Sequence, residues 1–265
     1  MNEMVRQGNW LFRWRSYLPL LLLPLAASLL PQSDWMSEAF GPRLAGLWDY
    51  FCLCLALVGL GIRIFTVGCV PAGTSRRSTR EQSAASLNTS GMYSLLRHPL
   101  YFGNLFIFLG FVLLFRSVPF ALLSAVLYYL YYKRIMAAEE DFLGRQHGQA
   151  YRDWAARTPA MVPRLQNWRR PALPFSWRSA LRREFHGLLL IGAGFLLIEI
   201  FRTPVREPGA YAERLQEKPF WLSLFVLSAA VYLLILIVKQ RSRWLVVEGR
   251  CADRHRDRAS PRTSV

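Results

Sequence analysis

Residues 88–104 read NTSGMYSLLRHPLYFGN, and they set polar, cationic and turn-forming residues directly against a long apolar run. A segment that only led into a membrane span would need a cap and little more. Pro99 fits the first turn of a helix, because its missing N–H has no intrahelical partner there and its φ is already helical. The stretch therefore predicts a helix that begins near Pro99.

Arg97 and His98 would lie at the positive end of that helix, where the dipole favours an anion and disfavours a cation. An anionic partner would resolve the conflict. The alternative interpretation is that Arg97 is one more cytoplasmic arginine beside a membrane span. That alternative explains His98, Tyr101 and Gly103 less well.

Outward from this stretch the chain of 265 residues is 53% hydrophobic, and its apolar residues come in blocks. Blocks of this kind indicate membrane-spanning helices rather than a soluble core. The predicted fold is an all-α polytopic membrane helix bundle with about six spans. The candidate spans are residues 17–30, 44–67, 100–115, 118–132, 185–201 and 220–238.

The formal charge of +16 would suggest nucleic acid in a soluble protein, so its distribution along the chain matters. Six spans with both termini on one side place 27 of the 33 Lys and Arg residues on that side. The positive-inside rule then predicts a multi-pass protein with both termini in the cytoplasm and no need for nucleic acid. The four cysteines suggest no disulfide, and no Cys/His spacing resembles a metal site.

Two charged residues, Asp49 and Arg63, fall near the ends of the second apolar block, and Glu199 lies near the outer end of the fifth predicted span. Snorkelling to the membrane interface is the expected behaviour of Asp49 and Arg63, and a functional role is the alternative.

The blocks at 100–115 and 118–132 are separated only by Arg116 and Ser117, so they predict a tight antiparallel hairpin. The hairpin returns the chain to the side that it left, and Glu139 and Glu140 should therefore lie near His98. Asp141 is expected instead to pair with Arg145 on an exposed helical face.

These pieces form a compound pattern: RHPLYFG at 97–103, the hairpin, Glu139 and Glu140, GQAYRDW at 148–154, then Pro159 and Pro163. The pattern resembles the C-terminal half of the isoprenylcysteine carboxyl methyltransferase and phospholipid methyltransferase family. The resemblance implies an integral-membrane methyltransferase that uses S-adenosylmethionine, with a cytoplasmic cofactor pocket beside the hairpin.

The resemblance also implies which residues form the site. The implied cofactor-binding residues are Leu87, Asn88, Tyr93, Arg97, His98, Tyr101, Gly103 and Glu139. The candidate catalytic residues are His98, Arg134 and Glu140. Chemically, Arg97 suits the cofactor carboxylate, Glu139 suits its hydroxyl or amino groups, and tyrosine faces suit its sulfonium.

The methyl acceptor is expected to be a lipid or lipid-linked molecule that enters from the bilayer. A carboxylate or phosphate is favoured over an amine, because Arg97, Lys133 and Arg134 are expected to converge and an ionised acceptor needs no general base. An amine would need a base, for which His98 and Glu140 are the candidates. The arginine that holds the substrate carboxylate in the family's carboxyl methyltransferases has no unambiguous match, and His147 and Trp154 replace a frequent Phe and Tyr.

Two alternatives stay open at this point. NADPH-dependent membrane reductases of the sterol-reductase type resemble the same Arg-His-Pro arrangement, but they typically place an acidic residue where this chain has Asn104. A transporter or other non-catalytic membrane protein would instead use Asp49, Arg63 and Glu199 as a polar path.

The sequence divides into four predicted segments. Residues 1–84 hold N-terminal membrane helices and a cytoplasmic loop, and residues 85–165 hold the methyltransferase-like core. Residues 166–248 hold an additional pair of membrane helices, and residues 249–265 form a basic tail without predicted structure.

Overall fold

The computed structural model describes residues 3–14, 23–29, 35–71, 86–202, 219–242 and 244–247. These residues form helices and connecting segments, with no strand among them. The α-helices are α1 Glu3–Trp14, α2 Leu23–Leu29, α3 Trp35–Gly68, α4 Met92–Leu95, α5 Pro99–Leu114, α6 Val118–Arg157, α7 Trp177–Arg202 and α8 Pro219–Arg241. A 3₁₀ turn, Leu165–Asn167, lies between α6 and α7.

The centre of the bundle is the packing of α3 against α5 and α7. Glycines let α3 and α5 approach closely, since a Cβ on Gly103 would meet the Gly59 carbonyl oxygen at 2.8 Å and one on Gly110 would meet the Cys52 carbonyl oxygen at 2.7 Å. Apolar side chains from α3, α7 and α8 fill the space around this contact. They include Cys52, Ala56, Leu60, Ile191, Phe195 and Trp221.

Three of the described helices, α3, α7 and α8, are long and apolar enough to cross a membrane by length and composition. Helix α5 has 16 residues and rises only about 24 Å, less than the hydrocarbon core of a bilayer. The predicted first span, residues 17–30, lies partly outside the described residues. An all-helical fold with three candidate membrane spans is thus confirmed among the described residues, while the count of six spans and the cytoplasmic location of the termini stay predictions.

The predicted helix start at Pro99 is confirmed. Pro99 occupies the first turn of α5, and His98 is the N-cap residue. The predicted hairpin is also present, because α5 ends at Leu114 and α6 starts at Val118. Arg116 turns the chain with a φ of 54°, and the Ser117 side chain accepts a hydrogen bond from the Phe120 N–H.

Helix α6 is longer than the predicted span, because it continues for 40 residues to Arg157. The segment with Glu139 and Glu140 is therefore the direct extension of an apolar helix. Gly148, with a φ of 54° and a ψ of −125°, interrupts the helical backbone in its last third. A residue with a side chain would be strained in that conformation.

The prediction that Asp49 snorkels to an interface is wrong. Asp49 is buried and binds Arg116 at 2.8 Å and Arg202 at 2.7 Å, and Arg202 also lies 3.2 Å from Glu199. We call these four residues the turn-end cluster, because Arg116 belongs to the α5–α6 turn. The cluster joins α3, this turn and α7 through paired charges, the arrangement that makes burial of charge tolerable.

Candidate functional site

Backbone hydrogen bonds hold the Arg97-His98 segment at the start of α5. The N–H groups of Arg97 and His98 donate to the carbonyl oxygens of Pro159 (2.8 Å) and Ala160 (3.2 Å). The Trp154 indole N–H donates to the Tyr93 carbonyl oxygen at 3.2 Å. The two halves of the sequence pattern, before and after the hairpin, are therefore fixed to each other by direct contacts.

His98 lies between the two glutamates of α6. Its Nε2 is 2.9 Å from Oε1 of Glu140, and its Nδ1 is 3.4 Å from Oε2 of Glu139. Arg97 donates from Nη1 to Oε2 of Glu140 at 3.1 Å. The predicted proximity of Glu139 and Glu140 to His98 is thus confirmed, and we call these four residues the signature cluster.

Burial and charge act in opposite directions on His98. Burial favours the neutral ring, but the hydrogen bonds and charges of Glu139 and Glu140 outweigh it and raise the pKa of His98 above its ordinary value. The ring therefore favours the imidazolium form, which donates from both nitrogens. In that state His98 has no lone pair with which to accept a proton.

Tyr101 extends the signature cluster towards the gap between α5 and α6. Its ring stacks on the His98 ring with centroids 5.6 Å apart, and it packs against Tyr132 at 4.9 Å. Tyr128 donates from its hydroxyl to the Tyr101 carbonyl oxygen at 2.8 Å. Tyrosine side chains from α6 thus fill the space between the two helices beside His98.

A second ionic group lies one turn further along α5. Arg63 of α3 binds Glu184 of α7 through Nε at 2.8 Å and Nη2 at 2.9 Å, and it donates from Nη1 to Oδ1 of Asn104 at 2.6 Å. Asn104 in turn donates to the Tyr132 hydroxyl oxygen at 3.1 Å. Sequence reasoning missed Glu184, although an ionisable residue at the edge of an apolar block is a usable signal.

Not every predicted site residue lies with His98. Gly103 faces α3, where a Cβ would meet Cγ of Arg63 at 2.6 Å, so helix packing accounts for this glycine. Arg134 donates to the Gln7 side chain of α1 at 2.9 Å and to the Leu130 carbonyl oxygen, and Lys133 lies over the exposed Tyr129 ring. The expected convergence of Lys133 and Arg134 with Arg97 has no support in these contacts, since successive helical residues point about 100° apart.

The residues before the signature form a turn that leads into α4. The Asn88 side chain accepts hydrogen bonds from the Ser90 N–H and hydroxyl, both at 3.2 Å, and Leu87 is half-buried beside it. Burial, and next the charge of Glu139, raises the pKa of Tyr93. Tyr93 thus feels the charge of the signature cluster, while Asn88 serves the local turn.

Two buried polar atoms beside the signature cluster, Nε of Arg97 and the hydroxyl of Tyr151, have no hydrogen-bond partner of good geometry among the described residues, and the two side chains lie close enough for a weak hydrogen bond with each other. Burial, and next the charge of Glu140, raises the pKa of Tyr151 to about 12, so its hydroxyl is a neutral donor. Buried polar groups normally have partners, and unsatisfied donors beside a charged cluster suit a polar ligand.

A metal site is not indicated in the part of the chain that the structure describes, where no three His, Cys, Asp or Glu residues are placed to hold an ion. What the signature cluster offers is a set of donors and carboxylates at the end of an apolar helix, bordered by tyrosine rings. Such an arrangement can bind a ligand that carries both positive and negative groups.

Comparison with known proteins supports the family resemblance for part of the chain. The phospholipid methyltransferase family model matches residues 52–150, which include the second half of α3, all of α5, and α6 to just beyond the Gly148 break. A protein-S-isoprenylcysteine O-methyltransferase of Arabidopsis thaliana is 27% identical over 52% of this chain and 72% of its own length. No solved structure matches the chain.

Two bacterial relatives carry names of a different kind. The nickel-cobalt-cadmium resistance protein NccN of Alcaligenes xylosoxydans xylosoxydans is 34% identical over 46% of this chain, and the cobalt-zinc-cadmium resistance protein CzcN of Cupriavidus metallidurans is 35% identical over 59%. The matches span 57% and 64% of these relatives' lengths, less than two thirds of each. The family model and the plant enzyme confirm the resemblance seen in the signature: residues 52–150 of this chain are similar to the phospholipid methyltransferase and isoprenylcysteine carboxyl methyltransferase family of membrane methyltransferases.

Proposed function

We propose that this protein is an S-adenosylmethionine-dependent methyltransferase that acts on a lipid or lipid-linked acceptor. The observation that carries the proposal is the signature cluster, in which charged side chains meet at the start of α5 and those of Arg97, Glu140 and Glu139 stay 20%, 26% and 33% exposed. The family supports methyl transfer as the reaction class. It also disfavours the NADPH-reductase alternative.

The residues present fit the cofactor. Arg97 Nε and the Tyr151 hydroxyl are donors for its carboxylate, and Glu139, whose side chain is 33% exposed, is available to its amino or ribose hydroxyl groups. Tyr93 and Tyr101 offer aromatic faces to the sulfonium. When bound, the cofactor supplies the activated methyl group, and the protein's part is to align the acceptor and exclude water.

The protonation state of His98 bears on the acceptor. Both carboxylate oxygens of Glu140 are engaged, one by Arg97 and one by His98, and the pKa of His98 is raised, which favours the charged ring. Neither residue is then a ready general base for an ammonium headgroup. An acceptor that is already ionised, a carboxylate or a phosphate, fits this arrangement better than an amine.

The position of the cluster supports a lipid acceptor. His98 caps an apolar helix, and the adjoining gap between α5 and α6 is lined by tyrosine side chains. An acyl or isoprenoid tail can stay in hydrocarbon while its headgroup reaches this end of the helices. Arg134 stays a prediction as a substrate-binding residue, because its described contacts go to α1 and to its own helix.

The proposal is tested by incubating membranes that contain the wild-type protein or Glu139→Ala with S-adenosylmethionine labelled in its methyl group. Base-labile label in the lipid fraction, present with the wild type and reduced with the variant, is expected for an esterified anionic acceptor. Label in N-methylated headgroups would contradict the anionic acceptor, and label only in water-soluble products would contradict the lipid. Absence of wild-type-dependent label from every fraction would contradict methyl transfer.

A further inference from the structure

The ionic group formed by Arg63, Asn104 and Glu184 connects the family-matched segment to a helix outside it. Glu184 belongs to α7, beyond residue 150, where the family match ends. Its side chain is 5% exposed and forms a two-point ion pair with Arg63. The pair therefore joins α7 to α3 next to α5.

Arg63 also makes a third contact that leads towards the site. Its Nη1 donates to Oδ1 of Asn104 at 2.6 Å, and a longer contact of 3.5 Å reaches the Leu100 carbonyl oxygen. Because a guanidinium only donates, the Asn104 side chain must present its oxygen to Arg63 and its NH₂ to Tyr132. The charge of Arg63 thus fixes the orientation of the Asn104 amide.

The orientation of the Asn104 amide affects the aromatic side chains beside His98. The Tyr132 hydroxyl accepts from Asn104 at 3.1 Å, and the Tyr132 ring packs against Tyr101, which stacks on His98. A continuous set of contacts therefore runs from the α7 carboxylate to the imidazole of the signature cluster. Each step in it is a hydrogen bond, an ion pair or a ring contact.

We propose that Glu184 is a positioning residue for the candidate site: it holds Arg63, Arg63 orients the Asn104 amide, and that amide sets the Tyr132 and Tyr101 rings against His98. The Arg63–Glu184 pair also joins α7 to α3, and it is the further contact of Arg63 with Asn104 that carries the inference. The inference rests on the proposed function, since the site that Glu184 positions is the proposed cofactor site. If Glu184 acts in this way, α7, which follows the family-matched segment, helps to position the site.

The turn-end cluster supplies a matched control on the same helix. Glu199 is a buried carboxylate of α7 that pairs with Arg202, and it lies 15 positions after Glu184, about 22 Å along the helix. Glu184→Gln and Glu199→Gln make the same chemical change in buried ion pairs. Only Glu184→Gln interrupts the contacts that lead to His98.

The first readout does not depend on the cofactor. The chain has four histidines, so the ring signals of histidine-labelled protein in detergent are few, and the His98 signal is assigned by its loss in His98→Gln. A moved Tyr101 ring changes the magnetic environment of the His98 ring stacked on it. We expect the His98 signal to shift in Glu184→Gln and to keep its wild-type position in Glu199→Gln and in the conservative variant Glu184→Asp.

The second readout is the dissociation constant for S-adenosylmethionine. Glu184→Gln should raise it about threefold or more, the size of coupling within one hydrogen-bonded network, while Glu199→Gln leaves it unchanged. Asn104→Leu keeps the Arg63–Glu184 pair, cuts the same path, and should reproduce both effects even where Glu184→Gln folds poorly. A wild-type His98 signal in Asn104→Leu, or an equal shift in the two glutamine variants, would overturn the inference. If the wild type binds no S-adenosylmethionine, the proposed function fails while the His98 spectra still decide this inference.

Discussion

The two ends of the α3–α5–α7 packing both bury charged residues, but they do so in different ways. At the turn end, the side chains of Arg116 and Arg202 are each 2% exposed and that of Asp49 is 5% exposed. At the signature end, those of Arg97, Glu140 and Glu139 are 20%, 26% and 33% exposed. The turn end is a closed set of charges suited to structure, whereas the signature end is more open, as the proposed cofactor site requires.

The difference also bears on the transporter alternative. Asp49 and Arg63 lie on the same helix, 14 residues and about 21 Å apart, and each binds its own partners. Among the described residues, the charges that would mark a polar path are thus engaged in two separate groups. The contrast between these groups leads to predictions of decreasing size.

The largest effect is expected at the turn end. Asp49→Ala removes the carboxylate shared by Arg116 and Arg202 and leaves two buried cations with one glutamate, Glu199. Loss of one partner from a buried ion pair costs about 3–5 kcal/mol of unfolding free energy. Unfolding of the detergent-purified variant should show this loss, and an unchanged unfolding midpoint would mean that the cluster is not a structural tie.

Substitutions at the signature end should weaken cofactor binding rather than destabilise the fold. His98→Ala and Glu139→Ala should weaken the binding of S-adenosylmethionine at least tenfold, on the order of 1.4 kcal/mol, as expected for lost buried polar contacts. His186→Ala and Asp141→Ala are the controls, because they remove an imidazole and a carboxylate that lie outside the cluster. Wild-type affinity in both signature variants would show that the cluster is not the cofactor site.

The pH dependence of stability gives a smaller effect with a defined sign. Because the pKa of His98 is raised in the folded protein, its contribution is fully present below the unfolded value of about 6.5 and is lost as the pH rises through the folded pKa. The stability difference between wild type and His98→Gln should therefore shrink as the pH increases from 6. A difference that grows with pH would contradict the raised pKa.

The smallest effect is expected on the exposed face of α6. Asp141 pairs with Arg145 at 2.6 Å, as predicted from their spacing, but the arginine side chain is 65% exposed. Such i,i+4 pairs contribute about 0.5 kcal/mol or less. Asp141→Ala should therefore unfold close to the wild type, in contrast to Asp49→Ala.

The sequence was most informative where local rules apply. A proline after a histidine predicted the start of α5, and a two-residue gap between apolar blocks predicted the turn that brings Glu139 and Glu140 to His98. These features depend on capping preferences and on the return of a hairpin to its starting side. Both can be read without knowing how the other helices pack.

Pairs between distant helices could not be read in the same way. Arg63 and Glu184 are separated by 121 positions, and Asp49 and Arg202 by 153. In the sequence, each of these residues is only a charge near the end of a predicted span. Whether its side chain reaches the membrane interface or an oppositely charged partner depends on how α3 is rotated and packed against α7. The same limit applies to Arg134, whose direction on α6 could be set only once α6 was known to continue as one helix against α1.

The most direct test of the central claim is titration of the detergent-purified wild-type protein with S-adenosylmethionine and, separately, with NADPH. We predict saturable binding of S-adenosylmethionine that Glu139→Ala weakens at least tenfold and Asp141→Ala leaves unchanged, with no saturable binding of NADPH. Saturable binding of NADPH without S-adenosylmethionine would contradict the account and favour a reductase, and binding of neither would contradict any cofactor site at the signature end.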